Sequence, residues 1–318
     1  MNALQRIYEI GIIPVIAFNS VDEALPLCRA LAAGGLPAAE VTFRTACAEE
    51  CIRKIHEEMP EMLLGAGTVL TAEQADRALA AGAAFIVSPG YDPQVVRHVL
   101  DKGGIIVPGT ATPSEMMQAM NQGCSCVKFF PAEASGGVEM LKNIGAALKA
   151  CRWMPTGGVN AKNVNNYLAF HQVLACGGTW MCKSDKIKAG AWEEITAMCR
   201  EAVDTMLGLE LGHIGINCAD DAEATKTAET LANMLSMAIA PEEKKIFLGK
   251  REIEVMRQPF RGTHGHIAIK CNNIDRAVYH LSRRGVKFDL DSRMSRNGNT
   301  LIYLADEVAG FGIHLSLK

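Results

Sequence analysis

Eight short apolar runs, separated by Ala-rich amphipathic stretches, fill residues 1 to about 204, and this alternation constrains the fold more than any single motif. The runs lie at 12–18, 38–43, 63–69, 85–89, 105–110, 126–131, 154–159 and 173–181. Helical patterns at 72–81, 93–102 and 113–122 start after Thr71, Asp92 and Thr112, each a candidate N-cap, and end near Gly82, Gly103 and Gly123. Parallel neighbours need a helical crossover, so strands alternating with helices predict a parallel sheet. Eight such units in about 200 residues fit a compact (β/α)8 TIM barrel. An open doubly wound sheet would call for a glycine fingerprint after the first strand, and Ile16-Ala17-Phe18-Asn19-Ser20 has none.

Composition agrees with this reading. The chain is 49% hydrophobic but only 6% aromatic, which suits Ala-rich helices packed on short strands. A net charge of -3 gives no electrostatic case for nucleic acid or an anionic membrane. The apolar stretch from Ile10 to Phe18 is too short to span a bilayer and is interrupted by Pro14. It also lacks the basic lead of a signal peptide, so it reads as a buried strand. Eleven cysteines, odd in number and without CxxC or zinc-ribbon spacing, read as reduced buried thiols of a cytoplasmic protein.

Past about residue 205 the pattern changes to an internal repeat. His213-Ile214-Gly215-Ile216-Asn217-Cys218 returns as His266-Ile267-Ala268-Ile269-Lys270-Cys271. Each copy is followed by a helical segment, at 221–235 and 274–284. Further strands follow, at 245–248 and 252–256 in one copy and at 300–304 and 312–317 in the other. The expected architecture is therefore a barrel over 1–204 and an α+β domain of two βαβββ modules over 205–318.

Chemistry in such a barrel sits at the C-terminal ends of its strands. In the second strand Glu40, Thr42 and Arg44 share parity and can all face inward. Charges buried there need a partner or a ligand, and a mutual Glu40–Arg44 ion pair would satisfy both with no substrate role. The sixth strand places Lys128 among Cys126, Val127, Phe129, Phe130 and Pro131. Desolvation disfavours the ammonium form there, and only the free amine attacks a carbonyl, so the position suits Schiff-base chemistry. A structural pairing of Lys128 with Glu40 is the alternative. Gly157-Gly158 and Gly177-Gly178 close the last two strands, where backbone N–H groups of these barrels meet phosphate.

Six motifs now stand together: Glu40-Val41-Thr42-Phe43-Arg44-Thr45, Gly65-Ala66-Gly67-Thr68-Val69, Ser88-Pro89-Gly90, Lys128-Phe129-Phe130-Pro131-Ala132-Glu133, Pro155-Thr156-Gly157-Gly158 and Gly177-Gly178-Thr179-Trp180. In order and spacing they resemble the 2-keto-3-deoxy-6-phosphogluconate (KDPG) aldolase family, which includes 4-hydroxy-2-oxoglutarate aldolases. The resemblance implies a cytoplasmic class I aldolase without a cofactor, assembled as a homotrimer, acting on a small keto acid. It gives Lys128 the role of Schiff-base lysine and Glu40 that of general acid/base. Arg44 and Thr68 would hold the carboxylate of the pyruvate end, with Pro89, Phe130 and Thr156 also at the substrate. Gly157, Gly158, Gly178 and Thr179 would bind phosphate. Thr179 stands where relatives often carry Ser, and Thr110-Ala111-Thr112-Pro113 departs modestly from the family pattern. Two other functions remain open on the residues alone. One is a phosphate-binding isomerase or synthase in which Lys128 only neutralises charge. The other is a non-catalytic sugar-acid sensor whose barrel binds a ligand for the tail to read.

The tail resembles the vicinal oxygen chelate, or glyoxalase-like, family, whose two βαβββ modules form a cup. Period-2 alternation lets His213, Glu254, His266 and His314 all point into that cup. The resemblance makes them a site for one divalent metal, and three imidazoles with a carboxylate suit Zn, Ni, Fe or Mn. His314 stands where the family usually has Glu, and His264 shares parity with His266. A metal-free binding module with polar cup residues is the alternative.

Overall fold

The computed structural model describes residues 2–296 and 299–318, and the chain divides between Met206 and Leu207 into two units. In the first, strands β1 (Ile12–Ile16), β2 (Ala38–Thr42), β3 (Leu63–Gly67) and β4 (Phe85–Val87) form a parallel ladder. It continues through β5 (Ile106–Val107), while β6 (Gly109–Thr110) pairs with β7 (Lys128–Phe129). Strand β8 (Cys176–Gly178) pairs back on β1. The result is a TIM-like α/β unit.

Two departures from the expected strands have the same chemical origin. Pro108 separates β5 from β6 because it has no N–H to give the ladder, although its carbonyl still accepts from Lys128 N at 2.8 Å. The run expected at 154–159 forms no ladder strand. Single bridges at Trp153 and Thr156 join it to its neighbours, since Pro155 lacks a donor and Gly157 and Gly158, at φ 98° and 83°, turn the chain away. A helix at Ala3–Ile10, absent from the sequence reading, precedes β1 and is capped by Asn2, whose Oδ1 accepts from Gln5 N at 2.9 Å.

The three helix starts read from the sequence are all capped. Thr71, Asp92 and Thr112 accept from backbone N–H groups at the starts of Ala72–Ala80, Pro93–Asp101 and Pro113–Asn121. The barrel helices turn apolar stripes inward, with Leu27 and Leu31, Ile52 and Ile55, and Val96 and Val99 each essentially buried. All eleven cysteines are free thiols, and ten are buried among these residues and those of the second unit. No helix among the described residues is long and apolar enough to cross a membrane.

The second unit repeats one element order. Strand β9 (Glu210–Asn217) and helix Asp221–Leu235 precede β10 (Ile239–Pro241), β11 (Lys245–Leu248) and β12 (Ile253–Met256). Then β13 (Gly265–Cys271) and helix Ile274–Arg283 precede β14 (Phe288–Arg296), β15 (Asn299–Leu304) and β16 (Phe311–Leu317). The sheet order is β10-β11-β12-β9-β13-β16-β15-β14, so the opening strands of the two modules lie antiparallel at the centre. Ala224, Ala228 and Ala232 recur every four residues and let the first helix lie close on Ile246, Leu248 and Val255. The opposite face of the sheet carries a mixture of polar, aromatic and aliphatic residues, among them His266, Tyr303 and Met256.

The start of helix Pro113–Asn121 offers a direct check. Thr112 Oγ1 accepts from Glu115 N, while Glu115 Oε2 accepts from the N–H groups of Ala111 and Thr112 at 2.8 and 2.9 Å. Thr112→Ala removes half of this box and should lower stability by about 1 kcal/mol, read as a fall in the urea midpoint at unchanged slope.

Candidate functional site

Two neighbours position Glu40 on β2: Val15 pairs on one side and Gly65 on the other. Its side chain crosses the interior to Lys128 on β7, whose Nζ donates to Glu40 Oε1 at 3.0 Å. Glu40 is fully buried and Lys128 is 6% exposed. The Lys128 ammonium also lies 5.4 Å from the centroid of the Phe130 ring. Glu40 Oε2 and Thr156 Oγ1 are among the buried polar atoms of this unit that have no protein partner. Leaving such an atom single costs about 1–3 kcal/mol, so their presence marks places where a bound molecule can complete the bonding.

Arg44 does not pair with Glu40. Strand β2 ends at Thr42, which places Arg44 in the following turn, exposed, with Nε donating to Thr68 Oγ1 at 3.1 Å. Thr68 has φ 55°, a left-handed conformation that costs a non-glycine residue energy and that clusters at functional positions. Thr42, the third residue of matched parity, donates instead to Ile16 O at 3.0 Å. Pro89 is exposed just beyond β4, where Ser88 Oγ donates to Gly90 O at 2.7 Å.

The glycine turn after the seventh segment is held from several sides. Glu133 N donates to Gly157 O at 3.0 Å, and Asn160 Nδ2 and Asn163 Nδ2 donate to Gly158 O at 2.9 and 3.2 Å. Tyr167 donates its hydroxyl to Glu133 Oε1, and the Glu133 stem fills the space a Cβ on Gly158 would need. The positive φ values at Gly157 and Gly158 thus belong to a turn fixed by its surroundings. Gly178 ends β8 beside Pro14, and Thr179 is exposed one residue later. Sequence reasoning missed Asn160, Asn163 and Tyr167; the Gly-Gly-Val-Asn spacing was the available signal for the first.

The comparisons with known proteins fall on this unit. Residues 4–198 match the family model described as KDPG and KHG aldolase, and the chain belongs to that family. A 2-dehydro-3-deoxy-phosphogluconate aldolase of Treponema pallidum is 47% identical over 201 residues, 63% of this chain and 94% of that protein. A KHG/KDPG aldolase of Escherichia coli is 42% identical over 193 residues, 61% of this chain and 91% of that protein. The crystal structure of KDPG aldolase from Legionella pneumophila, with pyruvate captured as a covalent carbinolamine, has a TM-score of 0.61 and 37% identity. It covers 63% of this chain and 97% of that one.

In the second unit, cross-strand register gathers the four residues singled out in the tail. His266 pairs with Gly215, Glu254 also pairs with Gly215, and Ala268 lies between His213 and His314. His213 Nε2 and His266 Nε2 are 3.0 Å apart, and each is 3.0 Å from Glu254 Oε2. The ligand atoms of His213, His266 and His314 all lie within 4.8 Å of one another. Gly215 is required there, since a Cβ would sit 2.1 Å from the His266 ring. His264 is exposed and packs on Phe311 instead. A cavity of about 480 Å³ opens above the cluster, walled also by Met256, Phe260, Met294, Leu301 and Tyr303. The sequence reading missed Lys245, which lines the cavity with Nζ 2.5 Å from Glu254 Oε1.

Electrostatics follow from this crowding. Burial works to raise the Glu254 carboxyl, but bonds from His213, His266 and Lys245 outweigh it and hold the group well below the usual carboxylate range. Burial, then repulsion from His266 and His213, pushes His314 down to about 4 from an ordinary 6.5. Its folded value lies below its unfolded one, so stability from a neutral His314 is present above pH 6.5 and lost as the pH falls toward 4. In full-length protein without metal, the opening free energy of β9 and β13, from amide exchange corrected for the intrinsic rate at each pH, should fall across that window by on the order of 3 kcal/mol at most. His314→Gln should flatten the dependence; an unchanged slope would assign it elsewhere.

Proposed function

We infer that the barrel cleaves 2-keto-3-deoxy-6-phosphogluconate into pyruvate and glyceraldehyde 3-phosphate by Schiff-base chemistry. The observation that carries this reading is the buried Lys128–Glu40 pair at 3.0 Å with Glu40 Oε2 left without a partner. A pair kept only for structure would be expected to bond both carboxylate oxygens. A sensor or a charge-neutralising lysine would not need the amine and a half-free carboxylate side by side. The family and the names of the relatives support the same substrate.

The chemistry follows from the positions. Glu40 takes a proton from the Lys128 ammonium, the amine adds to the C2 ketone, and Glu40 returns that proton to the hydroxyl that leaves as water, giving an iminium that draws electrons from the C3–C4 bond. Glu40, through a water, then removes the C4 hydroxyl proton, the C3–C4 bond breaks and the aldehyde departs. The remaining enamine takes a proton at C3 from Glu40, and hydrolysis of the iminium frees pyruvate and the lysine. Arg44 and Thr68 hold the pyruvate-end carboxylate beside Pro89, Phe130 and Thr156. The amides of Gly157, Gly158, Gly178 and the Thr179 hydroxyl meet the phosphate. 4-Hydroxy-2-oxoglutarate, which lacks the phosphate, is a second substrate for the same lysine. The resemblance also carries a homotrimer.

For the second unit we propose a glyoxalase-like cup that holds one divalent ion between His213, His266, Glu254 and His314. Three atoms 3.0 Å apart cannot all be satisfied by the protons of two imidazoles. Donors about 2.1 Å from a shared ion and at right angles make an edge of about 3 Å, so the triangle fits Zn, Ni, Mn or Fe. Such an ion would supply Lewis acidity to an oxygen bound in the cup.

Pyruvate with borohydride should add a reduced three-carbon adduct at Lys128 in the full-length protein, located by peptide mass mapping. Lys128→Met should abolish it, and an adduct on another lysine would overturn the assignment. Glu40→Gln should lower turnover by about 10²–10⁴ while slow trapping persists. Thr179→Val should narrow the preference in kcat/KM for the phosphorylated substrate over 4-hydroxy-2-oxoglutarate; equal rates in the unaltered protein would remove the phosphate role.

A further inference from the structure

The cavity of the second unit is charged in an uneven way. Glu254 is the one carboxylate among its lining residues, whereas Lys244 and Lys245 both line it. Lys245 lies opposite Met256 on the paired strand, and Phe247 lies opposite Glu254, so all four face the cup. The Glu254 charge is shared among three neighbours. Oε2 meets the imidazoles, and Oε1 meets Lys245, whose ammonium also lies 4.8 Å above the Phe247 ring. Glu254 is 4% exposed while the Lys245 side chain is 33% exposed, so the lysine can swing toward the cavity and the carboxylate cannot.

We propose that the cup binds a small carboxylate anion through Lys245, and that Lys245 is released for this when a divalent ion takes over the charge of Glu254. This rests on the metal reading given above. Without the ion, the Lys245 ammonium is the nearest positive charge to Glu254, and the two neutralise one another. With it, the cation is at the imidazole triangle and Lys245 faces the cavity without its former partner. Two lysines and a divalent ion against one carboxylate leave the lining strongly positive, which selects an anion. Met256, Phe260, Met294 and Leu301 add an apolar wall, and about 480 Å³ accommodates a small organic acid. Lys244 is exposed, so Lys245 is the one ammonium set among the apolar side chains of the wall, which suits a monocarboxylate with a short carbon chain.

Two linked effects follow. Lys245 competes with the ion for Glu254, and the ion and the anion strengthen one another's binding by the same factor. The measurement is calorimetric titration of the full-length protein with Zn, and with lactate in the presence and absence of Zn. Lactate has no ketone for Lys128 to attack, and lactate held by Arg44 and Thr68 in the barrel does not depend on Zn, so the Zn-dependent part of the signal reports on the cup. In the unaltered protein Zn should tighten lactate binding at least tenfold. Lys245→Met should bind Zn at least tenfold more tightly, because its competitor is gone, and should lose the Zn-dependent lactate binding. Lys245→Gln gives a second, polar variant of the same charge loss, and Lys245→Arg should restore lactate binding. Zn affinity unchanged or weakened in both neutral variants, or Zn-dependent lactate binding that ignores Lys245, would overturn the proposal while leaving the metal site intact. Inorganic phosphate binding as tightly as lactate would overturn the carboxylate assignment. No Zn binding by any variant, with Ni, Mn and Fe also failing, would remove the metal reading itself.

Discussion

The first unit is organised around one contact that ordinary folding energetics would avoid: a lysine and a glutamate brought from opposite staves into the interior. Taking both charges out of water costs several kcal/mol each, and their attraction returns that only in part. The rest of the unit has to supply the difference through apolar packing. Fully buried Phe18, Phe85, Phe129 and Trp153, with the helix stripes behind them, form that surplus. Glu40 and Lys128 are far apart in sequence, so their meeting depends on the strand order and register of the whole barrel.

The second unit solves a similar problem by repetition. Its two modules place their opening strands back to back, so His213 and His266 arrive at the same depth from opposite directions. The closing strands then bring Glu254 and His314 to matching positions on either side. Equivalent positions thus carry different chemistry, a carboxylate in one module and an imidazole in the other. Small residues make the arrangement possible: Gly215 leaves room for the His266 ring, and Ala268 fills the equivalent place opposite His213.

Much of this was legible from residue order. Helix starts followed from Thr71, Asp92 and Thr112, because capping is a local interaction that needs no knowledge of the fold. The four cup residues followed from period-2 parity within single strands. What escaped depended on neighbours in space. The Glu40–Arg44 pairing failed because β2 stops at Thr42, a limit set by its ladder and not by side-chain pattern. Strand β10 at the sheet edge is exposed at all three residues, so it carries no alternation to read. Lys245 looks like a surface lysine until the register of β11 against β12 puts it beside Glu254.

The two prolines that interrupt the barrel ladder lie on the same side of it. Glu40 sits in the middle of a five-residue strand flanked by ladders on both sides. Lys128 sits on a two-residue strand with a two-residue ladder to β6 on one side; on the other, one bridge at Val127 and backbone bonds from Met154 N and Thr156 N join it to an irregular segment. The regular ladder thus carries the carboxylate, and the proline-broken one carries the amine. In the proposed cycle the lysine nitrogen passes from ammonium to iminium to enamine, so the geometry at that nitrogen must change repeatedly. The carboxylate only has to stay in place. A regular register under the carboxylate and a proline-broken one under the amine match that difference in demand.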